Sequence, residues 1–227
     1  MTITTNANAV DGSEFIARLD EEIGAALARL AHKSAAGDAP DALTTDKLLR
    51  LALKNELEAT EVAAIWLATT PELDVKLALA RQCGDEAKHY RLIVERLTAM
   101  GVDAANIDPL ETGYSPLFEF LRALQSTPAR VAAGQFTREG IALVRNQAFI
   151  EFCEARGDGE TAALYRNVIQ PDEQHHHDLG RRLLARYAVT SADQQVAHDA
   201  ARRTLELAEE IQEMARIKSG ISRAPGC

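Results

Sequence analysis

The sequence has few aromatic residues, few turn-forming residues and few cysteines. Aromatic side chains make up 5% of the 227 residues, which include 13 glycines and 7 prolines. This composition favours helices over a turn-rich β fold, so we expect an all-α protein. Cys83, Cys153 and Cys227 lack the density and spacing of a disulfide framework or a zinc motif. Such cysteine usage fits the reducing cytoplasm.

Long apolar runs and an excess of positive charge are also missing. No stretch reaches the ~18 apolar residues of a transmembrane helix, and residues 1–10 lack the features of a signal peptide. The formal charge of -9 provides no broad basic surface to neutralise phosphates. We therefore expect a cytoplasmic protein without a membrane partner and do not expect nucleic acid as a partner. Apolar residues, at 46%, are sufficient to fill one sizeable core.

Apolar periodicity and helix-end signals predict seven helices. They lie at about 13–33, 44–68, 70–101, 116–124, 127–156, 159–187 and 191–218. Thr70-Pro71 and Thr127-Pro128 each give an N-cap followed by proline at the first helical position. Ser191 with Gln194 matches a capping box, and the 37–40 Gly-Asp-Ala-Pro break ends the first helix.

The spacing of these helices predicts their topology. Tight connections near Thr70 and Gly157 join the helices in two pairs, and a long crossover at about 102–115 joins the pairs. This is the topology of a four-helix bundle with one long connection. We expect one domain over 1–227, with a bundle core at about 44–187 and additional helices at both ends.

One motif occurs twice, as Asp85-Glu86-Ala87-Lys88-His89 and Asp172-Glu173-Gln174-His175-His176. Composition alone predicts Asp-Glu-x-x-His only about 0.03 times in such a chain, so two copies indicate a function. In each copy the Glu lies on the apolar stripe of its helix, and the His three residues later reaches the same point. A carboxylate in an apolar seam is costly unless it is protonated, paired or bound to a cation.

A dinuclear metal site would explain the repeat. Two neighbouring cations need several anionic oxygens, and each also takes a neutral imidazole, so the other two long helices should each supply a carboxylate. On the second helix, reflecting Glu86 through the turn near Pro71 favours Glu56. The alternatives on that helix are Glu58 and Glu61. On the predicted helix at 127–156, Glu139 precedes Glu173 by 34 residues and lies on an apolar seam.

The order Glu, Glu-x-x-His, Glu, Glu-x-x-His resembles the ferritin-like diiron-carboxylate superfamily over about 44–187. The resemblance implies two iron ions, or manganese at one or both positions, in a ferritin-like four-helix bundle. The implied metal ligands are Glu56, Glu86, His89, Glu139, Glu173 and His176. Glu86 and Glu173 would bridge the two metals, while Asp85 and Asp172 would hydrogen-bond the ligating histidines.

Local similarities point to two branches of this superfamily. The segment 55–62 is similar to uncharacterised bacterial ferritin-like proteins, whereas Leu164-Tyr165-Arg166 is similar to the tRNA-hydroxylating branch. Tyr90 and Tyr165 would lie around the metals, as redox-active groups or as core residues with satisfied hydroxyls.

The resemblance implies a diiron oxidoreductase that uses O₂ or peroxide to oxidise an unidentified small molecule, with an unidentified electron donor. One alternative is oxidation of Fe(II) itself, as in ferritins. Another is a helical interaction protein that retains a metal site without turnover. A homo-oligomer, such as a homodimer, is expected in each case.

Two features complicate the second motif. Pro171 should kink its helix or start a new one, and a new start would turn Asp172 and Glu173 into first-turn acids. Three consecutive histidines also follow the Glu. Helical phase selects His176, because its spacing from Glu173 matches the first motif.

Overall fold

The computed structural model describes residues 9–35, 43–219 and 224–226, and over these residues it contains helices and no strand. The helices are α1 (Gly12–Ala35), α2 (Thr45–Thr69), α3 (Leu73–Ala99), α4 (Pro116–Ala123), α5 (Thr127–Val131), α6 (Glu139–Ala155), α7 (Gly159–Leu164), α8 (Gln170–Tyr187) and α9 (Ser191–Ser219). The expected all-α class is thereby confirmed. Among the described residues, no helix is long and apolar enough to cross a membrane. The predicted break at 37–40 and Cys227 lie outside the described residues.

Two of the predicted long helices contain π-helical segments that the apolar periodicity does not predict. Ala132–Arg138 joins α5 to α6, and Tyr165–Ile169 joins α7 to α8, so each rod is continuous but locally wider. The crossover includes a short 3-10 turn at Ala104–Asn106 and leads into α4. Because π-helical insertions change the phase of the residues that follow, they affect which side chains face the interior.

Three predicted helix starts are wrong in detail. Ser126, not Thr127, is the N-cap of α5, so Pro128 is the second residue of that helix. Thr70 is the C-cap of α2, since its backbone N–H donates to the Trp66 carbonyl oxygen, and α3 begins only at Leu73. At α9 the reciprocal capping bonds join Thr190 and Asp193 instead of Ser191 and Gln194. The Gln194 amide instead bonds both backbone polar groups of Val10. Tertiary contacts therefore recruit residues that local capping rules assign to helix ends.

Helix packing places a polar layer between two apolar clusters. α2 lies along α3, α6 along α8, and α3 also contacts α8, while α1 and α9 pack on the second pair. One cluster contains Trp66, Leu79, Phe136 and Leu184; the other contains Leu53, Ile93, Phe149 and Ile169. The chain passes from one cluster to the other along α2, along α3, and along the continuous helical stretches 127–155 and 159–187. The buried Glu and His residues of the two motifs lie between them.

Close approach of α8 to the first π-helical segment requires a glycine. A Cβ added at Gly180 would lie 2.8 Å from the backbone carbon of Gln135 and 2.8 Å from the backbone nitrogen of Phe136. Backbone atoms cannot move aside as a flexible side chain can. This contact fixes the separation of the two rods next to the polar layer.

We predict that Gly180→Ala destabilises the protein by about 1–3 kcal/mol, because the methyl group overpacks a backbone contact. Gly24→Ala is the matched control, since an added Cβ at this exposed position of α1 meets nothing within 4 Å. It should stabilise by about 0.5–1 kcal/mol, because alanine loses less backbone entropy in a helix. Urea unfolding followed by circular dichroism measures both changes. Equal effects of the two substitutions would contradict this packing account.

Candidate metal centre

Four helices bring six buried acidic and imidazole side chains together. We call this set the six-residue cluster: Glu56, Glu86, His89, Glu139, Glu173 and His176. One group of four, whose potential ligand atoms all lie within 4.8 Å of one another, contains Glu56, Glu86, His89 and Glu173. A second such group contains Glu86, Glu139, Glu173 and His176. Each group thus has its own imidazole and its own carboxylate, and the two share Glu86 and Glu173.

Helical spacing positions both motifs as the sequence pattern predicts. Glu86 and His89 lie one turn apart on α3, and Glu173 and His176 lie one turn apart on α8. Pro171 is accommodated in the first turn of α8, directly after a π-helical segment. In a regular α-helix, the carbonyl group of Asn167, four residues earlier, would clash with the proline ring. Asn167 instead lies in the π-helical segment, where the backbone is wider. The helix therefore continues through Pro171, and Glu173 faces the interior.

The two aspartates hold the two imidazoles across the helix interface. His89 Nε2 lies 3.1 Å from Asp172 Oδ2, and His176 Nε2 lies 3.1 Å from Asp85 Oδ2. Each motif therefore supplies the hydrogen-bond acceptor for the histidine of the other motif. An Nε2–H that donates to a carboxylate leaves Nδ1 of a neutral imidazole with its lone pair free. Both Nδ1 atoms consequently face the cluster, where each offers a lone pair to a metal ion once its imidazole is neutral.

Several buried polar atoms in the cluster lack hydrogen-bond partners. They include Nδ1 of both histidines and Oε2 of Glu173. His89 Nδ1 lies 3.4 Å from Glu56 Oε2 and 3.4 Å from Glu86 Oε2, and His176 Nδ1 lies 3.5 Å from Glu173 Oε2. These atoms are too poorly aligned for hydrogen bonds, yet are close enough for one cation to contact both. The donor set therefore fits metal ions.

The four carboxylates are costly to bury without a counter-charge. Burial raises the pKa of Glu56 to about 7 and that of Glu173 to about 8, and it raises the pKa of Glu139 well above its ordinary value. Burial also acts to raise the pKa of Glu86, but contacts with His89 outweigh it and lower the pKa to about 2. Protons shared within the cluster thus offset part of its charge. Two divalent cations would balance all four carboxylates.

A second layer of polar side chains surrounds the six-residue cluster. Lys88 contacts Asp172, and its Nζ also lies 3.4 Å from Asp85, so one ammonium links both aspartates. The Gln82 amide donates to Glu139 and lies 3.4 Å from Glu86, while Gln135 Nε2 donates to Gln82 Oε1 at 3.1 Å. The motifs in the sequence do not predict these roles. Gln82 and Gln135 each precede a cluster Glu by four residues, and this i–4 spacing could have identified them.

Of the three glutamates on α2 that the sequence offers as ligands, two have other partners in the structure. Glu58 is buried but accepts hydrogen bonds from the backbone N–H and hydroxyl of Ser115, at 2.7 and 2.6 Å. Glu61 accepts a hydrogen bond of 2.7 Å from the Tyr114 hydroxyl. Both residues therefore tie α2 to the end of the crossover. Glu56 alone among the three contributes to the cluster identified on the described residues.

The tyrosines and remaining histidines occupy different surroundings. Tyr165 is fully buried, its hydroxyl lacks a partner, and burial together with the nearby Glu56 charge raises its pKa well above the ordinary value. Tyr90 is partly buried, and burial and Asp108 raise its pKa. His177 Nδ1 lies 2.7 Å from the Phe136 carbonyl oxygen, outside the cluster. His175 is partly exposed, so the phase-based choice of His176 agrees with the residues that cluster.

The chain matches no protein-family model, and no curated protein shows significant similarity to it. The assignment of a function therefore rests on the geometry and chemistry of the six-residue cluster.

We predict that the metal-free protein loses stability as pH rises from about 5 to 8. Burial raises the pKa values of Glu56 and Glu173 to about 7 and about 8, above 4.5 for an ordinary Glu. Between these pKa values and 4.5, the folded chain holds protons that the unfolded chain has released. The contribution of the two residues to the free energy of unfolding is therefore complete below pH 4.5 and is lost as the pH rises to about 7–8. His89, whose pKa is raised to about 12 by Glu56 and Glu86 against the effect of burial, acts in the same direction above pH 6.5.

Thermal unfolding at pH 5, 6.5 and 8 in the presence of a chelator checks this prediction. The gain in Tm on adding Mn(II) should increase over the same range, because metal binding displaces the held protons. Glu173→Gln should reduce the pH dependence of the metal-free protein. A Tm that rises steadily from pH 5 to 8 without metal would contradict the assigned protonation of the cluster.

Proposed function

We propose that this protein is a ferritin-like dinuclear metal protein that uses O₂ or peroxide to oxidise a substrate. The metals would be two iron ions, or manganese at one or both positions. The observation that carries the proposal is the pair of four-residue groups that share Glu86 and Glu173. Shared carboxylates are what two adjacent cations need, because bridging oxygens screen the repulsion between the positive charges.

The composition of the cluster favours this metal class. Carboxylate oxygens and imidazole nitrogens suit iron and manganese, whereas neither four-residue group contains the cysteine that softer metal sites use. Glu56 and His89 would hold one metal, Glu139 and His176 the other, and Glu86 and Glu173 both. Two divalent cations would match the charge of the four carboxylates, and the buried Arg138, 3.8 Å from Glu139, adds a further positive charge at the edge of the site.

The order of the helices supports a ferritin-like arrangement. The four contributing helices follow the chain as an adjacent pair, α2 with α3, and a second adjacent pair, α6 with α8. The crossover around 102–115 separates these pairs. Each pair supplies one lone Glu and one Glu-x-x-His motif, which is the order that the resemblance implies.

The protein's own residues would prepare the centre for redox chemistry. Bound Fe(II) ions would supply electrons to O₂ or peroxide. Asp85 and Asp172 orient the imidazoles and keep each Nδ1 free to bind. Lys88 offsets the charge of these two aspartates from outside the cluster. The apolar clusters on either side exclude water, which strengthens the electrostatic contacts within the layer.

Metal analysis and oxygen uptake test the proposal. Protein purified after growth with iron and manganese should contain about two metal ions per chain. Anaerobic loading with Fe(II), followed by O₂, should give stoichiometric oxygen uptake and a visible absorbance change. Repeated uptake with added Fe(II) alone would favour iron oxidation as the function. Absence of both metal and uptake would contradict the proposal.

We predict that Glu86→Gln and Glu173→Gln each reduce the metal content to well below one ion per chain, because each residue belongs to both groups. Glu56→Gln should weaken only one position and leave about one ion. The matched control is Glu58→Gln, which alters a buried carboxylate of α2 that bonds Ser115 and should leave about two ions. Elemental analysis measures the content, and circular dichroism checks the fold. Two ions in either shared-residue variant would overturn the bridging assignment.

A further inference from the structure

The segment 224–226 lies beside the six-residue cluster, and one of its peptide units is hydrogen-bonded by two side chains. Asn55 Nδ2 donates to the Pro225 carbonyl oxygen at 2.9 Å, and the Gly226 N–H donates to Asn146 Oδ1 at 2.8 Å. The carbonyl and the N–H belong to the same peptide unit. Two side-chain amides, one on α2 and one on α6, therefore bind both polar groups of one secondary amide. Pro225 and Gly226 are both buried in this position.

The Cα atom of Gly226, which follows the bound amide nitrogen and carries no side chain, lies beside the six-residue cluster. Gly226 has φ +73°, and an added Cβ would lie 3.3 Å from Asn55 Cβ and 3.6 Å from Glu56 Oε1. Side chains are disfavoured there by both the backbone conformation and the contact with Asn55. Glu56 is a member of the six-residue cluster. The position after the amide nitrogen thus fits a CH₂ group at the edge of the centre.

The two asparagines have the features of a built site. Asn146 is completely buried, and its Nδ2 has no hydrogen-bond partner. A buried amide with an unmade hydrogen bond is costly, and helix packing alone does not require an amide at this position. Asn146 lies two turns after Glu139 on α6, and Asn55 directly precedes Glu56 on α2. Both residues therefore adjoin the centre without belonging to the cluster.

We propose that Asn55 and Asn146 form a binding site for an acylglycine-type secondary amide, such as a peptide with glycine on the nitrogen side. In the structure, the chain's own Pro225–Gly226 peptide unit occupies this site. A free ligand of the same chemistry would enter when the segment 224–226 leaves. The binding itself depends on the two asparagines. Its relevance to catalysis rests on the proposed function, because the ligand CH₂ lies beside Glu56.

Peptide binding to the full chain tests the proposal. Gly226→Val should release the segment, because a β-branched residue is strained at positive φ and its Cβ meets Asn55. The probe is acetyl-Ala-Pro-Gly-amide, measured by isothermal titration calorimetry with and without bound Mn(II). Gly226→Val should bind the probe at least about tenfold more tightly than the unaltered chain, in which the tethered segment competes at high effective concentration.

Two isosteric variants in the Gly226→Val chain separate the donor from the acceptor. Asn55→Asp removes the donor to the ligand carbonyl and should weaken binding at least about tenfold, whereas Asn146→Asp retains an acceptor for the ligand N–H and should bind the probe. Both add the same charge, so they control for electrostatics. A probe with an ester in place of the Pro-Gly amide lacks the N–H and should bind at least about tenfold more weakly.

The outcomes distinguish this inference from the proposed function. Equal binding by the unaltered and Gly226→Val chains, or equal losses in the two Asp variants, would overturn the amide site. If Gly226→Val holds two metal ions but does not bind the probe, the amide site alone is wrong. If it binds the probe with the expected variant pattern but holds no metal, the proposed function alone is wrong.

Discussion

Four carboxylates buried in one layer of an apolar interior impose the main physical constraint on this structure. Anionic groups at this depth need protons, cations or hydrogen-bond donors, and the surrounding donors are too few to satisfy them. Burial consequently raises the pKa values of Glu56 and Glu173 into the range of about 7 to 8. The imidazole Nδ1 atoms remain without partners at the same level. Metal ions would remove both costs at once, because they neutralise the carboxylates and accept the imidazole lone pairs.

The outer contacts organise the six-residue cluster independently of any metal ion. Each histidine is held by the aspartate of the opposite motif, so the α3–α8 interface itself fixes the direction of both imidazoles. Lys88 contacts both aspartates and offsets part of their charge. Gly180 sets the close approach of α8 to the neighbouring π-helical segment. Ligand position therefore depends on packing as well as on the residues that would touch metal.

The sequence was sufficient to predict the helices and to select the residues that cluster. The repeated Asp-Glu-x-x-His and the turn-reflected Glu56 depend only on helical spacing, which is a local property. The π-helical segments, the Thr190–Asp193 capping box and the link formed by Lys88 could not be predicted in the same way. They depend on contacts between helices that are far apart in sequence. The asparagine pair that binds 224–226 likewise becomes visible only when α2 and α6 are brought together.

Anomalous diffraction at the iron edge from crystals loaded anaerobically with Fe(II) would test the central claim most directly. The account predicts two resolved peaks within the polar layer, both in contact with Glu86 and Glu173. One peak should also contact Glu56 and His89, and the other Glu139 and His176. A single peak, or peaks that do not share these carboxylates, would contradict the dinuclear centre.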